Sequence, residues 1–146
     1  MKNQNIRVRL ILIKKGKMLL MHDSSVGFYY YPGGHVEFGE TILQAAEREC
    51  IEECNDNFVF DKILYIRDYL NLDKNEQAIE LFLLGGLKKG IANNSKDPAG
   101  RKTQTLMWFD IDNLPKNLYP MTLSKKIAKD FKKGFPCRGE YLGAIK

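Results

Sequence analysis

The chain has 146 residues, 44% of them hydrophobic and 28% charged, with a formal net charge of +5. That length supports one domain, residues 1–146, with a core large enough to stand without disulfides or a structural metal. The composition excludes collagen-like, coiled-coil and wholly disordered chains, and the basic excess points to anionic partners without choosing among nucleic acid, nucleotide and membrane surface.

The polar start leads into Ile6–Ile13, an apolar and β-branched run that reads as a strand. It is too short and too soon interrupted for a secretory signal, and no stretch approaches the ~18 apolar residues of a membrane span. Arg7 and Arg9 alternate with Val8 and Leu10, so one face of this strand is basic. Two readings stay open for the pair: phosphate contacts, which suit guanidinium geometry, or ordinary surface charge. Lys14-Lys15-Gly16-Lys17 is a turn signal, and Met18–His22 is the returning strand.

Phe28–Tyr31 is an aromatic run, offering rings for base stacking or for the core, and Pro32-Gly33-Gly34 is expected to turn the chain. Thr41–Cys54 is helical, with no Gly or Pro and many Ala and Glu. Phe58–Asn71 holds apolar segments split by Arg67-Asp68, two side chains that could face a substrate, and Ala78–Leu84 is a strand expected to stop at Gly85-Gly86. A polar loop over 88–100, a short strand Thr105–Phe109 and a helix Thr122–Lys133 complete the chain. Mixed strands and two helices make an α/β or α+β fold. The lysines of the last helix read as a solvated face, so nucleic acid is disfavoured as a partner. The three cysteines, Cys50, Cys54 and Cys137, form no C-x-x-C pair and fit reduced thiols in a cytoplasmic protein better than a zinc site.

The chemistry concentrates in the first helix, where Glu47, Glu49, Glu52 and Glu53 fall within seven residues. At about 100° per residue, with Glu49 as origin, Glu52 lies near about 300° and Glu53 near about 40°, so three carboxylates share one arc. Leu43, Ala46, Cys50 and Cys54 form an adjoining apolar stripe, which places the acids at the border of the buried face. Such crowding repels unless a partner reverses it. A hard cation such as Mg²⁺, which wants oxygen ligands, is one partner; a solvated acidic face is the alternative. Arg48 can pair with Glu52 or reach back to Glu40.

The preceding loop adds a second pattern. Gly34, Glu40, Arg48, Glu49, Glu52 and Glu53 stand at the spacing of the Nudix box, G-x5-E-x7-R-E-U-x-E-E-x-G-U, and the segment Gly34–Asp56 resembles that box. Six such matches arise by chance at roughly 10⁻⁷ per start position. Three positions depart from it: the first bulky apolar residue is Cys50, smaller than Leu or Ile but apolar enough to be buried; the last Gly is Asn55, which tolerates a left-handed helix end; and the last apolar residue is Asp56, for which Phe58 is the nearest replacement. The resemblance implies an α/β/α sandwich with a mixed sheet between helices. It also implies hydrolysis of a nucleoside diphosphate linked to another moiety, with Mg²⁺ or Mn²⁺, by attack of water on phosphorus. Carried over position by position, Glu49, Glu52 and Glu53 become metal ligands and catalytic residues, one of them a base. The backbone of Gly33 becomes a further ligand, and Gly34, Glu40 and Arg48 become the supports of the site.

Such domains often take one more carboxylate from outside the box. Glu80, a lone acid in the apolar strand Ala78–Phe82, is the first candidate, with an edge-strand acid facing water as the alternative, and Glu76 is second. Arg7, Arg9 and Arg67 are candidates for binding the nucleotide-like substrate. A homodimer is expected from the family. A catalytically silent nucleotide-binding module and an enzyme acting on capped RNA ends are the competing readings.

Overall fold

The computed structural model describes residues 3–90 and 103–146. The hairpin appears as β1 (Asn3–Lys14) and β2 (Lys17–Asp23), joined where Lys15 and Gly16 take positive φ. Then come β3 (Phe28–Tyr30), β4 (Gly33–His35), helix α1 (Ile42–Cys54), and the long pair β5 (Phe58–Asn71) and β6 (Glu76–Leu87). The chain ends in β7 (Gln104–Asp110), β8 (Leu118–Tyr119), helix α2 (Leu123–Lys132) and β9 (Glu140–Gly143). Most of the loop expected over 88–100 lies outside the described residues.

One mixed sheet curls through all nine strands. One arm runs β4–β1–β6–β5–β9 and the other β8–β3–β2–β7, linked at the β1–β2 hairpin. β1 and β6 run parallel over ten register pairs, from Asn3↔Glu76 to Leu12↔Gly85. Because side chains alternate along a strand, each strand feeds two cores. Val8, Leu10, Leu81 and Leu83 pack with Ala45, Ala46, Cys50 and Cys54 of α1. Ile11, Phe82 and Tyr65 pack on the other side with Leu123 and Ile127 of α2. Burying Leu123 and Ile127 completely contributes about 1.5–3 kcal/mol each, which holds α2 against the sheet. The sheet therefore lies between helices, as the resemblance implied.

Four local expectations are corrected. Gly33-Gly34 does not turn: it forms β4, antiparallel to β1, with Arg9↔Gly33 and Val8↔Gly34 in register. A Cβ on Gly33 would stand 2.0 Å from the Val8 carbonyl oxygen, at φ +144, so glycine serves close strand approach there. β6 does not stop at Gly85 but runs through it, because the bare backbone makes room for the Phe58 ring. β5 is continuous across Arg67-Asp68. Leu43 is 41% exposed and outside the core stripe, its place taken by Ala45.

Candidate active site

Helix α1 is fixed at both ends by its own sequence. Thr41 and Gln44 form a reciprocal capping box, with the Gln44 amide donating to Thr41 Oγ1 at 3.1 Å and the Thr41 amide to Gln44 Oε1 at 2.8 Å. Asn55 closes the other end in the left-handed conformation, φ 53 and ψ 38, and its amide donates to the Ile51 carbonyl. The glycine of the box is thus replaced without loss of the cap.

Between those caps the carboxylates divide by environment. Glu53 is 2% exposed, and its Oε2 accepts the Gly33 amide at 2.8 Å. Glu49 is 8% exposed and fills the space where Gly34 has no Cβ; an added Cβ would lie 2.4 Å from Glu49 Oε1. Glu52 stays open to solvent. Gly33 and Gly34 therefore form a cradle into which two of the three acids reach.

Arg48 organises the acids from within. Its Nη2 donates to Glu40 Oε1 at 2.7 Å and to the His35 carbonyl at 2.9 Å, and its Nε to Glu40 Oε2 at 3.1 Å. Nη1 donates to Glu49 Oε1 at 2.9 Å and to Glu52 Oε2 at 3.4 Å. Both partners expected from the sequence, Glu40 and Glu52, are thus engaged. The hydrogen bonds from Arg48 draw the Glu40 carboxyl down to about 2, and those to Glu40 push the Arg48 guanidinium upward.

The departure at Asp56 has a structural reason. Its carboxylate is 4% exposed and accepts the amides of Asn57 at 2.7 Å, Lys89 at 3.0 Å and Gly90 at 2.9 Å. It ties the end of α1 to the end of β6 through charge-assisted hydrogen bonds instead of apolar contact. Phe58 fills the core position beside it.

Across the sheet lies a cavity of about 580 Å³, lined by Arg7, Arg9, Arg67 and Glu80 and by the rings of Phe28, Tyr30, Tyr69 and Tyr119. All three arginines expected to meet substrate are brought together here. Glu80 is 4% exposed and lies among them: Arg67 Nη1 donates to its Oε1, Arg9 Nε stands 3.3 Å and Arg7 Nη1 4.0 Å from its Oε2. Glu80, the extra carboxylate expected from the sequence, thus lies apart from the α1 acids. It shares a face with Phe82, opposite the α1 acids, and its oxygens are taken by guanidinium groups. Glu76, the second candidate, opens β6 and accepts from the Tyr69 hydroxyl at 3.4 Å. Of the aromatic run, Phe28, Tyr30 and the buried Tyr31 all line the cavity. Tyr69, Tyr119 and Lys146 line it without a sequence signal, since each reaches it only through strand pairing or the closing chain end.

Arg9 links the cavity to β4, since it lines the one and stands in register with Gly33 of the other. Arg9 Nη1 lies 3.4 Å from the Tyr31 carbonyl, and Tyr31 is two residues before the glycine that holds Glu53. Among the described residues, no three His, Cys, Asp or Glu side chains converge as a finished metal cage. The donors nevertheless suit a hard cation. Glu49, Glu52 and Glu53 offer only oxygen, and the bare backbone of Gly33-Gly34 leaves space beside them.

A family model described as the NUDIX domain matches residues 3–130. Solved structures similar to the chain include a MutT NUDIX hydrolase from Burkholderia pseudomallei, 20% identical, covering 86% of this chain and 98% of that one with a TM-score of 0.69. A NUDIX hydrolase from Nitrosomonas europaea is 25% identical over 92% and 94% of the two chains, with a TM-score of 0.66. An ADP-ribose pyrophosphatase from Streptococcus suis is 17% identical over 94% and 98%, with a TM-score of 0.68. With the box residues gathered around the β4 glycines and a family model spanning most of its length, this chain belongs to the Nudix hydrolase family.

Proposed function

We propose that the protein hydrolyses a nucleoside diphosphate linked to another moiety, in a reaction that depends on Mg²⁺ or Mn²⁺. The observation that carries this reading is the pair of buried box acids, Glu49 and Glu53, held against the bare Gly33-Gly34 backbone, on a strand whose register partner Arg9 lines the arginine-rich cavity. Glu49, Glu52 and Glu53, with the Gly33 carbonyl, are the groups that would hold the metal. The chemistry such an ion supplies is polarisation of phosphoryl oxygens and a lowered pKa for water. Gly33 fixes Glu53 through its amide, and Gly34 leaves room for Glu49. One carboxylate of the set would take the proton of the attacking water as its oxygen bonds to phosphorus and the bridging P–O bond breaks, the electron pair leaving with the departing phosphate. Glu40 and Arg48 keep the helix in register with β4. The rings of Phe28, Tyr30 and Tyr119 suit a nucleobase, and the ADP-ribose pyrophosphatase among the structural relatives agrees with a substrate of this class. A single domain over 1–146, working in the cytoplasm and pairing as a homodimer, completes the reading. No helix among the described residues is long and apolar enough to cross a membrane.

The test is a panel of nucleoside triphosphates, ADP-ribose, nucleotide sugars and dinucleoside polyphosphates, with products identified by mass. Turnover is expected to need Mg²⁺ or Mn²⁺, to stop with a chelator and to collapse in Glu53→Gln. A folded protein that binds nucleotides yet turns over none with either metal would overturn the proposal in favour of a silent binding module.

A further inference from the structure

Arg67 reaches the cavity from β5 on a long side chain, and a guanidinium presents a useful fork only when its direction is fixed. Two partners fix it. Nη1 donates to Glu80 Oε1 on the neighbouring β6, and Nε donates to the Ile145 carbonyl at 2.8 Å. The second partner stands 78 residues further along the chain, past β9.

The segment that supplies this carbonyl is pinned to α2 at two points. Near its start, Glu140 of β9 meets Lys126 Nζ at 2.9 Å. The same ammonium lies 3.3 Å from Asp130, which accepts the Tyr65 hydroxyl at 2.7 Å. β9 pairs with β5 as far as Arg67↔Gly143, and Gly143, at φ 66, then redirects the chain. Further on, the Lys146 backbone oxygen accepts the Thr122 amide at 3.2 Å and the Thr122 hydroxyl at 2.8 Å. A threonine at a helix N-cap ordinarily turns its oxygen to the helix's own amides. Thr122 makes no such bond and gives its hydroxyl to Lys146 instead. Lys146 lines the cavity together with Tyr119, Pro120 and Met121, the residues that lead into α2. A strand that served only to cover β5 would need no anchor past Gly143. This one continues to a second anchor, and between the two its backbone meets a cavity arginine.

We propose that Thr122, Ile145 and Lys146 are positioning residues of the substrate site. Thr122 holds the Lys146 backbone, which sets the place of the Ile145 carbonyl, which in turn aims the Arg67 guanidinium into the cavity. The segment past β9 is thus a wall of the site and acts on substrate through Arg67. The proposal rests on reading the cavity as the place where substrate binds; it does not depend on turnover.

Binding of ADP-ribose and of inorganic pyrophosphate, measured by calorimetry in EDTA, tests it apart from hydrolysis. A variant that stops at Ala144 is expected to bind both about tenfold more weakly, as for loss of a ligand's support. Thr122→Val, which leaves the segment in place and removes one hydrogen bond, is expected to lose about fivefold, and Thr122→Ser to restore the affinity. The decisive measurement is a double-mutant cycle with Arg67→Met and, as a second background, Arg67→Gln. In either background, shortening the chain or Thr122→Val is expected to cost less than about twofold further, because the group they aim is gone. An equal loss with and without Arg67 would show that the segment acts by general packing and would overturn the proposal. So would wild-type affinity in both the shortened chain and Thr122→Val, or no binding of either probe to the wild type in EDTA. Where turnover is measured, the loss in Thr122→Val is expected in KM, with kcat within about twofold. A loss confined to kcat would overturn the positioning role and leave the hydrolase reading intact.

Discussion

Gly34→Ala isolates the role of the cradle from that of the fold. A Cβ built at Gly34 meets Glu49 Oε1 at 2.4 Å, Cδ at 2.7 Å and Oε2 at 3.0 Å, and these are its three nearest neighbours. The backbone at this position does not lie in the region that favours glycine, and the neighbours are the far end of a flexible side chain. The substitution therefore asks little of the strand and much of Glu49, whose carboxylate must retreat by about 1 Å to restore ordinary contact. Metal ligands are effective only within about 0.2 Å of their preferred distances, and a 1 Å misplacement near reacting atoms costs about 10²-fold in rate. The variant is expected to keep its thermal midpoint within about 3 °C and to lose about 10²-fold in kcat at saturating Mg²⁺, with part of the loss recovered by the larger Mn²⁺. Gly33→Ala is the control, because its Cβ would strike the Val8 backbone carbonyl at 2.0 Å at φ +144. It is expected to lower the midpoint sharply as β4 separates from β1. Steady-state rates and thermal scans of both variants settle the matter. Gly34→Ala with wild-type kcat would show that the Glu49 position does not matter to turnover, and the cradle argument would fail.

Further outcomes follow from the same contacts. Glu53→Gln keeps an oxygen that can accept the Gly33 amide, so circular dichroism and the thermal midpoint should barely change while kcat falls by about 10²-fold or more, judged against the cost of disturbing a ligand's support. Arg48→Ala removes the link between Glu40, Glu49 and Glu52 and should lower kcat/KM by about 10–100-fold; an unchanged value would make the arginine a surface pair only. The Glu40 carboxyl sits near 2 in the folded protein against 4.5 as its ordinary value. The stability it adds is therefore complete above about pH 4.5 and is lost as pH falls toward 2. Urea midpoints across that window should fall less steeply in Glu40→Gln than in the wild type, and parallel curves would refute the assignment. Asp56→Leu restores the apolar residue of the family pattern yet strands three part-buried amides, and should destabilise by about 1–3 kcal/mol in urea unfolding.

The parts of this protein that were legible in the sequence are those ruled by local chemistry. Helix α1 could be bounded because Thr41 caps it, Asn55 ends it and nothing between them breaks it. The box acids could be named because their spacing is itself a helical face. What was misread depended on partners far away in the chain. Gly33-Gly34 looks like a turn until Val8 is known to lie against it, and Gly85 looks like a strand end until Phe58 needs the space. Leu43 falls on the apolar side of a helical wheel, but β1 and β6 receive Ala45 and Ala46 instead. The cavity was half legible. Alternation on β1 gave a basic face, whereas the meeting of that face with Arg67, Tyr69 and Tyr119 is a product of the sheet order.

Buried acids show most sharply why residue type does not fix role. Glu53, Asp56 and Glu80 are each at most 4% exposed, and each would be costly without compensation. Glu53 accepts the Gly33 amide at an edge strand, which fixes its carboxylate against the glycine backbone. Asp56 is satisfied by three amides from two segments, which makes it a fastener with no coordination left to offer. Glu80 is outnumbered by guanidinium groups, so its surroundings remain positive and favour a further anion. The same carboxylate chemistry thus sits in three different surroundings: beside a bare glycine backbone, among backbone amides and among guanidinium groups. The acidic helix and the basic cavity carry opposite charge, and under the proposed function a phosphate-bearing substrate with its metal would meet both.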